Sequence, residues 1–199
     1  MVSSCLVACE FSGSVRSRLR ERGIDAWSCD IIDSEDGSEY HIKGDALEAM
    51  RSRHWDAVIA FPPCTHLAVS GARHFAQKRA DGRQQAGIDF FLAFTECDAR
   101  FVAIENPVSI MSTHYRKPDQ IIQPWMFGHG ETKATCLWLK GFPKLKPTRV
   151  VEGRDCRILR LAGNPKERSR TYSGIADAIS EQWGDILVNL DASAVSGNE

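Results

Sequence analysis

The stretch that decides the fold of this chain is DAVIAFPPC, residues 56–64. Its first part, Asp56–Phe61, is an apolar run as long as a β-strand, and the two prolines that follow bring it to an end. An apolar run without polar alternation is typical of a strand buried on both faces of a parallel sheet. The stretch therefore predicts a central parallel strand followed by a rigid loop that carries Cys64.

Working outward, apolar runs alternate with amphipathic segments along the rest of the chain. We predict further strands at Ser4–Ala8, Ile24–Ile32, Phe101–Ile104, Ala134–Leu139 and, as a weak one, Ile158–Leu161. We predict helices at Ser14–Arg22, Ala46–Arg53, Gly87–Arg100 and Tyr172–Asn189, with Gly23 as the stop signal of the first. This alternation indicates an α/β fold with a mostly parallel sheet and helices on both faces.

The composition is that of an ordinary globular domain. The chain has 199 residues, of which 43% are hydrophobic, and a formal net charge of −1. These values exclude a strongly basic nucleic-acid coat protein and a disordered or collagen-like chain. We expect a single domain over residues 1–190 and a flexible tail over residues 191–199, whereas the oligomeric state stays open.

The sequence carries no targeting or membrane signal that we recognise. No apolar run reaches the roughly 18 residues of a membrane helix, and the first residues lack the pattern of a signal peptide. The seven cysteines are scattered, and none forms a C-x-x-C pair. We therefore expect a cytoplasmic protein with reduced thiols, no metal site and no membrane partner.

Polar or reactive residues follow four of the predicted strands. They are Glu10–Gly13, Asp30, Pro62–Cys64 and Glu105–Pro107. Open parallel sheets bind their ligands beyond the carboxyl ends of their strands. The coincidence of four such strand ends predicts a functional site at this edge of the sheet.

Two of these residues could carry chemistry. Cys64 lies on a loop made rigid by prolines, where a thiolate can act as a nucleophile if its pKa is lowered or a base is near. Glu105 follows a buried strand and could be held protonated, so that it donates a proton to a ring nitrogen. The alternatives are a turn cysteine without a role and a carboxylate that caps a helix or lies in a loop.

The first turn suits a nucleoside, although its signal is weak. Gly13 is a single glycine after the first strand, far short of G-x-G-x-x-G. Asp30 is placed to take ribose hydroxyls, and Gly44-Asp45 could reach an adenine.

The segment Thr65–Arg83 is rich in basic residues and directly follows Cys64. It could form a mobile lid that closes over a bound base and contacts phosphates. The alternative is a solvated basic loop.

Taken together, these motifs resemble the DNA cytosine-5 methyltransferases, in particular the short versions found in phages and prophages. The resemblance covers about Leu6 to Trp183 and depends mainly on Pro62-Pro63-Cys64 followed by Glu105-Asn106, each after an apolar strand. Phe11-Ser12-Gly13 is similar to the family's F-x-G opening. Residues 133–139 and 170–178 resemble, respectively, the strand of its basic motif and its final motif.

The resemblance implies a Rossmann-like methyltransferase fold that uses S-adenosylmethionine and acts on double-stranded DNA, in the host cytoplasm if the chain is phage-encoded. It implies catalytic roles for Cys64, Glu105 and Asn106. The implied cofactor contacts are Phe11, Gly13, Asp30, Asp45 and Pro62. The implied DNA contacts are Arg73, Lys78, Arg79, Lys133, Arg168 and Arg170.

The chain also departs from the family pattern. Val15 and Arg16 stand where further glycines are usual, Thr65 replaces a glutamine and Pro107 a valine. Only about 25 residues separate Leu145 from Arg170, where the family has its large target-recognition domain.

Without a separate reader domain, we expect a very short target site, such as a dinucleotide. Affinity would then come from basic residues in Thr65–Arg83 and Gly153–Arg170, the latter holding Arg154, Arg157, Arg160, Lys166, Arg168 and Arg170. Two other functions remain open. One is an enzyme that acts on free deoxycytidine nucleotides or adds another one-carbon group, and the other is a non-catalytic nucleic-acid-binding module on the same fold.

Overall fold

The computed structural model describes residues 2–156 and 165–195, of which residues 165 and 191–195 are described by their backbone alone. Within these residues one seven-stranded sheet has the order β3-β2-β1-β4-β5-β7-β6. The strands are β1 Ser4–Ala8, β2 Asp25–Asp30, β3 His41–Lys43, β4 Ala57–Ala60, β5 Phe101–Pro107, β6 Gln120–Ile122 and β7 Thr135–Lys140. The helices are α1 Ser14–Glu21, α2 Ala46–Arg51, α3 Phe75–Ala80, α4 Arg83–Thr95, α5 Met111–His114, α6 Pro165–Ser169 and α7 Ser173–Val195.

The sheet is parallel except at one edge. Strands β3, β2, β1, β4 and β5 run parallel to one another, whereas β7 is antiparallel to both β5 and β6. Chain order reverses direction at β1, which lies between β2 and β4. Such a reversal opens a crevice at the carboxyl ends of the strands. The predicted α/β fold is confirmed.

Helices cover both faces of the sheet, which explains the continuous apolar strands. Leu6 and Val7 of β1 point to opposite faces, and both are fully buried. Val7 packs in the core under α1 and α7 with Trp183, while Leu6 packs under α2 and α4 with Phe91. A strand with a core on each side has no polar face, as the pattern predicted.

Several predicted boundaries were wrong for local reasons. Helix α1 ends where expected, since Gly23 adopts a positive φ of 83° just beyond it. Helix α4, in contrast, begins at Arg83 and ends at Thr95, because Gly82 adopts a left-handed conformation before its first turn. Strand β5 continues through Glu105 and Asn106, which pair with β7 instead of forming a loop.

The segment Thr65–Arg83 is folded, which corrects the prediction of a loop. Residues Val69–His74 form a 3-10 helix and run directly into α3. The buried Lys78 donates to the carbonyl of Thr65 at 2.5 Å. This contact fastens the segment to the residues that follow Cys64.

The C-terminal helix is longer than predicted. Helix α7 continues to Val195 and so includes the first residues of the predicted tail. The weak strand at Ile158–Leu161, together with Arg157 and Arg160, falls outside the residues that the structure describes. Across the described ranges, no helix combines the length and the apolar character needed to span a membrane.

Candidate active site

The loops after β4 and β5 lie side by side at the carboxyl edge of the sheet. Ala60 pairs with Ile104 in the parallel ladder, so the chain reaches Cys64 and Glu105 from neighbouring strands. Asn106 is fully buried, and its Nδ2 donates to the carbonyl oxygen of Pro62 at 2.9 Å. Asn106 thus holds the Pro62-Pro63-Cys64 turn against β5. This is a positioning role for a residue that the resemblance had implied to be catalytic.

Glu105 lines a cavity between the sheet and α7. The cavity encloses about 470 Å³, its mouth included, and its polar walls come from Glu105, Lys133 and Tyr172. Ile59 and Trp183 contribute to its apolar wall. Burial raises the pKa of Glu105, while Lys133 and a hydrogen bond from Thr135 act in the opposite direction. The site therefore favours a protonated Glu105 more than water does.

Cys64 belongs to the same electrostatic neighbourhood, although it does not line that cavity. Burial raises the pKa of the Cys64 thiol, and the negative charge of Glu105 raises it further. Lys133 and Arg168 lower it. A neutral Glu105 would no longer oppose ionisation of the Cys64 thiol, and the positive charges of Lys133 and Arg168 favour the Cys64 thiolate directly.

A second group of residues at this cavity escaped the sequence analysis. The hydroxyl of Tyr172 donates to Glu131 Oε2 at 2.5 Å, and the backbone N–H of Gly174 donates to His129 Nε2 at 3.1 Å. Tyr172 thereby becomes a fixed wall of the cavity at the start of α7. The one available signal was the position of Tyr172 inside the stretch that resembles the family's final motif.

A smaller pocket lies beside the first turn, which follows β1. Cys9, Glu10, Phe11 and Ser12 line it together with Phe61, which also lines the larger cavity. The carboxyl of Glu10 accepts hydrogen bonds from the backbone N–H groups of Val15 at 2.6 Å and Arg16 at 3.2 Å. Burial nevertheless raises the pKa of Glu10 to about 7. The buried carboxyl of Glu10 therefore accepts from the first backbone N–H groups of α1 and fixes the turn that precedes this helix.

Arg16 explains why this turn has a single glycine. Its buried guanidinium pairs with Asp36 at 2.7 Å. It also passes so close to Gly13 that an added Cβ there would lie 2.2 Å from Arg16 Nη2. Gly13 has a φ of 66°, which also favours glycine. Where further glycines were expected, this chain has an arginine that ties the turn to the β2–β3 loop.

Asp30 and Asp45 reach the same edge of the sheet from the ends of β2 and β3. Both raise the pKa of the Cys9 thiol, after burial, which is the larger cause. Asp45 caps α2, since its Oδ1 accepts from the N–H groups of Leu47 at 2.7 Å and Glu48 at 3.0 Å. The structure thus gathers these carboxylates near the first turn. Their contact with a cofactor stays a prediction, as it does for Phe11, Gly13 and Pro62.

The residues expected to contact DNA separate into two groups. Lys133, Arg168 and Arg170 lie near the cavity; Lys133 Nζ donates to the carbonyl of Arg168 at 3.3 Å, and Arg170 pairs with Glu35 at 2.8 Å. The others belong to the helical segment after Cys64. Of these, Arg73 and Arg79 are exposed, whereas Lys78 is turned inward onto Thr65.

Among the described residues, no group of three or more histidine, cysteine, aspartate or glutamate side chains is arranged to hold a metal ion. The site thus consists of a cysteine, a buried acid and several cations at the carboxyl edge of an α/β sheet.

Comparison with solved structures supports the fold. No protein-family model matches the chain, and no curated protein matches it either. One solved structure, described as a candidate DNA modification methyltransferase encoded within a prophage (E. coli), matches with a TM-score of 0.50 and 14% sequence identity. The match covers 75% of this chain and 52% of that one, so the chain spans about half the length of its structural neighbour. The chain has the α/β Rossmann-like fold of methyltransferases.

Proposed function

We propose that this protein is a DNA cytosine-5 methyltransferase that works through a covalent Cys64 adduct. One observation carries the proposal. Cys64 follows β4, Glu105 lies near the end of the neighbouring parallel strand β5, Asn106 fixes the turn that carries Cys64, and the charge of the Glu105 carboxyl acts on the Cys64 thiol. A nucleophile and a neutral acid placed together in a cleft suit addition to an electron-poor ring.

The chemistry assigns each group a role. The Cys64 thiolate adds to C6 of the cytosine, and Glu105 gives its proton to N3, so that the electron pair of the ring is delivered to C5. S-adenosylmethionine, when bound, supplies the methyl group that C5 takes up. The C5 proton then passes to solvent, the Cys64 sulfur leaves as a thiolate, and N3 returns its proton to Glu105, which restores both the aromatic ring and the enzyme.

The pocket beside the first turn is the proposed cofactor site. It opens next to Phe11 and shares Phe61 with the larger cavity, so a group held there faces the Glu105 side of the cleft. Among the residues that the structure describes, both hydrogen bonds that Asp45 accepts end on Oδ1, which leaves Oδ2 for an adenine amino group. Asp30, whose Oδ1 accepts from Ile32 N–H at 3.3 Å, likewise keeps Oδ2 for ribose hydroxyls. Phe11, Gly13, Asp30, Asp45 and Pro62 would hold the cofactor.

Double-stranded DNA is the proposed substrate. A cytosine must leave the duplex before Cys64 can reach C6, and the cavity lined by Glu105, Lys133 and Tyr172 offers it a partly polar site. Arg168 and Arg170 lie beside this cavity and would contact phosphates. The structural neighbour, itself described as a candidate DNA modification enzyme, supports the same substrate.

The test is the nucleoside composition of DNA from a bacterial host that lacks cytosine methylation and expresses the protein. We expect 5-methyldeoxycytidine by mass spectrometry with the unmodified chain, and none with Cys64→Ser. Glu105→Gln should reduce it by a factor of about 10²–10⁴, the usual contribution of a general acid. Cys97→Ser is the matched control, because Cys97 lies between α4 and the start of β5, at the opposite end of this strand from Glu105.

Other outcomes discriminate among the functions left open by the sequence. A different cytosine modification that also depends on Cys64 would favour transfer of another one-carbon group. Unmodified DNA, together with labelled free deoxycytidine nucleotides after incubation with S-adenosylmethionine, would show that the substrate is not DNA. Absence of any modification would contradict an enzymatic function.

A further inference from the structure

The segment of residues 166–172 forms a wall of both pockets at the carboxyl edge of the sheet. We call it the strap; it contains most of α6 and ends at Tyr172, just before α7. Ser169 and Thr171 line the small pocket beside the first turn, and both also line the larger cavity that holds Glu105. The strap is therefore shared by the proposed cofactor site and the proposed site of the base.

The carboxylate of Glu35 holds the strap at the first turn. Arg170 meets this carboxylate with two nitrogens, Nη1 at 2.8 Å from Oε2 and Nη2 at 2.9 Å from Oε1. Lys166 Nζ lies 3.0 Å from Oε1 of the same carboxylate and 5.2 Å from the centre of the Phe11 ring. One carboxylate thus pairs with two cations of the strap, beside the pocket that Phe11 lines. We call this contact the clasp.

Glu35 itself is fixed to the body of the protein. Its N–H donates to the carbonyl of Phe11 at 3.0 Å. The next residue, Asp36, has both carboxylate oxygens within 2.8 Å of Nη2 of the buried Arg16. The side chain of Glu35 is 22% exposed, against 42% and 56% for its two partners on the strap. The carboxylate is therefore the fixed half of the clasp, and the cations are the half that solvent reaches.

The small pocket needs more room before it can hold a nucleoside cofactor. It encloses about 200 Å³, its mouth included, whereas sites for small molecules usually enclose roughly 300–1,000 Å³. Two of its walls are held firmly, since the N–H of Phe61 donates to the carbonyl of Ala8 at 2.9 Å and Glu10 is bonded to the start of α1. The strap is the wall that is held by ion pairs near solvent, and such pairs open at a small cost in free energy.

The far end of the strap stays attached when the clasp opens. The hydroxyl of Tyr172 donates to Glu131 Oε2 at 2.5 Å, and Tyr172 leads directly into α7. Between the two ends, Lys133 Nζ donates to the carbonyl of Arg168 over a longer distance, 3.3 Å. This arrangement suits a movement of the strap about Tyr172, in which the end beside Glu35 moves furthest.

Building on the proposed function, we propose that Glu35 is a positioning residue that clasps the strap over the small pocket and thereby limits how fast S-adenosylmethionine enters and leaves. The clasp forms with the pocket empty and filled alike, so it governs the rates of binding and release and leaves the affinity nearly unchanged. Because the two cations face solvent, salt competes with the carboxylate and opens the clasp.

The experiment measures the exchange of tritium-labelled S-adenosylmethionine on the full chain. Dissociation is followed by rapid filtration after addition of excess unlabelled compound, calorimetry gives the affinity, and the two together give the association rate. Glu35→Gln keeps the shape of the side chain and removes its charge. This variant should release the label about fivefold faster or more, with an affinity within about twofold of that of the unmodified chain.

Salt provides a reading that a purely structural role of Glu35 would not change. Between about 0.05 and 0.5 M sodium chloride, dissociation from the unmodified chain should accelerate by about threefold, because the clasp is screened. In Glu35→Gln, where the clasp is already absent, it should change by less than about 1.5-fold.

Asp33→Asn is the matched control. Asp33 lies in the same loop as Glu35, and its carboxylate pairs with Lys43 at 2.8 Å. The control removes the same charge and leaves the clasp intact, so its exchange rate should stay within about twofold of the unmodified chain. Thermal melting of both variants checks that the fold is intact.

Hydrogen exchange of the ligand-free protein, followed by mass spectrometry, tests the clasp without any cofactor. The backbone of residues 166–172 should exchange faster in Glu35→Gln than in Asp33→Asn, because only the first variant frees the strap.

The possible outcomes are distinct. An unchanged dissociation rate in Glu35→Gln would overturn the proposal. Faster dissociation without faster association would overturn it as well, because Glu35 would then support the bound cofactor rather than control its passage. If the unmodified chain binds no S-adenosylmethionine, the proposed function fails and the clasp has no role in it. If exchange depends on Glu35 as expected while DNA stays unmodified, the cytosine chemistry fails and the role of the clasp stands.

Discussion

Replacement of Gly174 by alanine tests whether α7 is seated as closely as the cavity requires. Gly174 lies in the first turn of α7, immediately after Tyr172 and Ser173. A Cβ added there would be 1.8 Å from the carbonyl oxygen of Phe127 and 3.0 Å from its carbonyl carbon. Phe127 is buried, and its N–H donates to the carbonyl of Pro124 at 2.9 Å, so this neighbour has little freedom to move.

The cost follows from the displacement that such a contact demands. Carbon and oxygen approach each other to about 3.3 Å in the closest favourable contacts, so the start of α7 would have to withdraw by about 1.5 Å. That movement opposes the packing of Ile175, Ile179 and Trp183 against the sheet. Overpacking costs typically 1–3 kcal/mol and occasionally more, while alanine recovers up to about 1 kcal/mol of helix propensity. Because a contact of 1.8 Å with a backbone atom belongs at or above the upper end of the overpacking range, we expect a net loss of about 2–3 kcal/mol.

For a chain of this length such a loss lowers the melting temperature by roughly 4–12 °C. Thermal unfolding followed by circular dichroism measures it, with Gly44→Ala as the matched control, since an added Cβ there meets nothing within 4 Å. The control should melt within about 2 °C of the unmodified chain. A Gly174→Ala variant that melts together with the control would refute the close seating of α7, and with it the position of Tyr172 in the cavity wall.

Three other predictions concern the cofactor, the first turn and the target. Asp30→Ala should weaken S-adenosylmethionine binding by roughly 1–3 kcal/mol in calorimetry, and an unchanged affinity would remove Asp30 from the site. Because burial raises the pKa of Glu10 from 4.5 to about 7, the folded chain keeps a proton that the unfolded chain releases between these values. The free energy of unfolding should therefore fall by up to about 3 kcal/mol as pH rises through that window, and urea titrations should show a flatter profile for Glu10→Gln. Finally, bisulfite sequencing of DNA treated with the purified chain should reveal a very short target site, and modification confined to a defined site of four or more base pairs would contradict this. Binding to DNA should weaken steeply as the salt concentration rises.

The sequence could predict the sheet and the meeting of its loops because both follow from local patterns. The strands within Ser4–Ala8 and Asp56–Phe61 carry apolar residues on both of their faces, because helices cover both faces of the sheet. Once these strands are parallel, their carboxyl ends must share one edge. Topology alone therefore placed Cys64 and Glu105 at neighbouring strand ends. The pairing of β4 with β5 confirms that the strands are neighbours, although Glu105 lies within β5 rather than after it.

Other parts of the structure depend on contacts between residues far apart in the chain. The sequence alone predicts that Lys78 is a solvated cation. In the structure its ammonium donates to the carbonyl of Thr65, and this contact helps to fold the segment Thr65–Arg83, whose apolar pattern is weak. The bond between Tyr172 and Glu131 and the pairing of Arg16 with Asp36 leave no periodic trace in the sequence. The short edge strands β3 and β6 likewise offer too few residues for a period to show.

The electrostatics of the site show what substrate binding must achieve. Burial raises the pKa of both Cys64 and Glu105, so the free site favours the form in which each group keeps its proton. Addition to the ring requires a thiolate and an acid, which is one proton fewer than this resting form. Lys133 acts on both groups in the direction of ionisation, whereas Arg168 acts on Cys64. A base that enters the cavity would accept the proton of Glu105 at N3. Glu105 would then become negative only as the Cys64 sulfur loses its negative charge by forming the covalent bond. The two groups would therefore not be negative at the same time. The effect of the Glu105 charge on Cys64, unfavourable when both groups are negative, thus suits the proposed reaction, in which the negative charge passes from one group to the other.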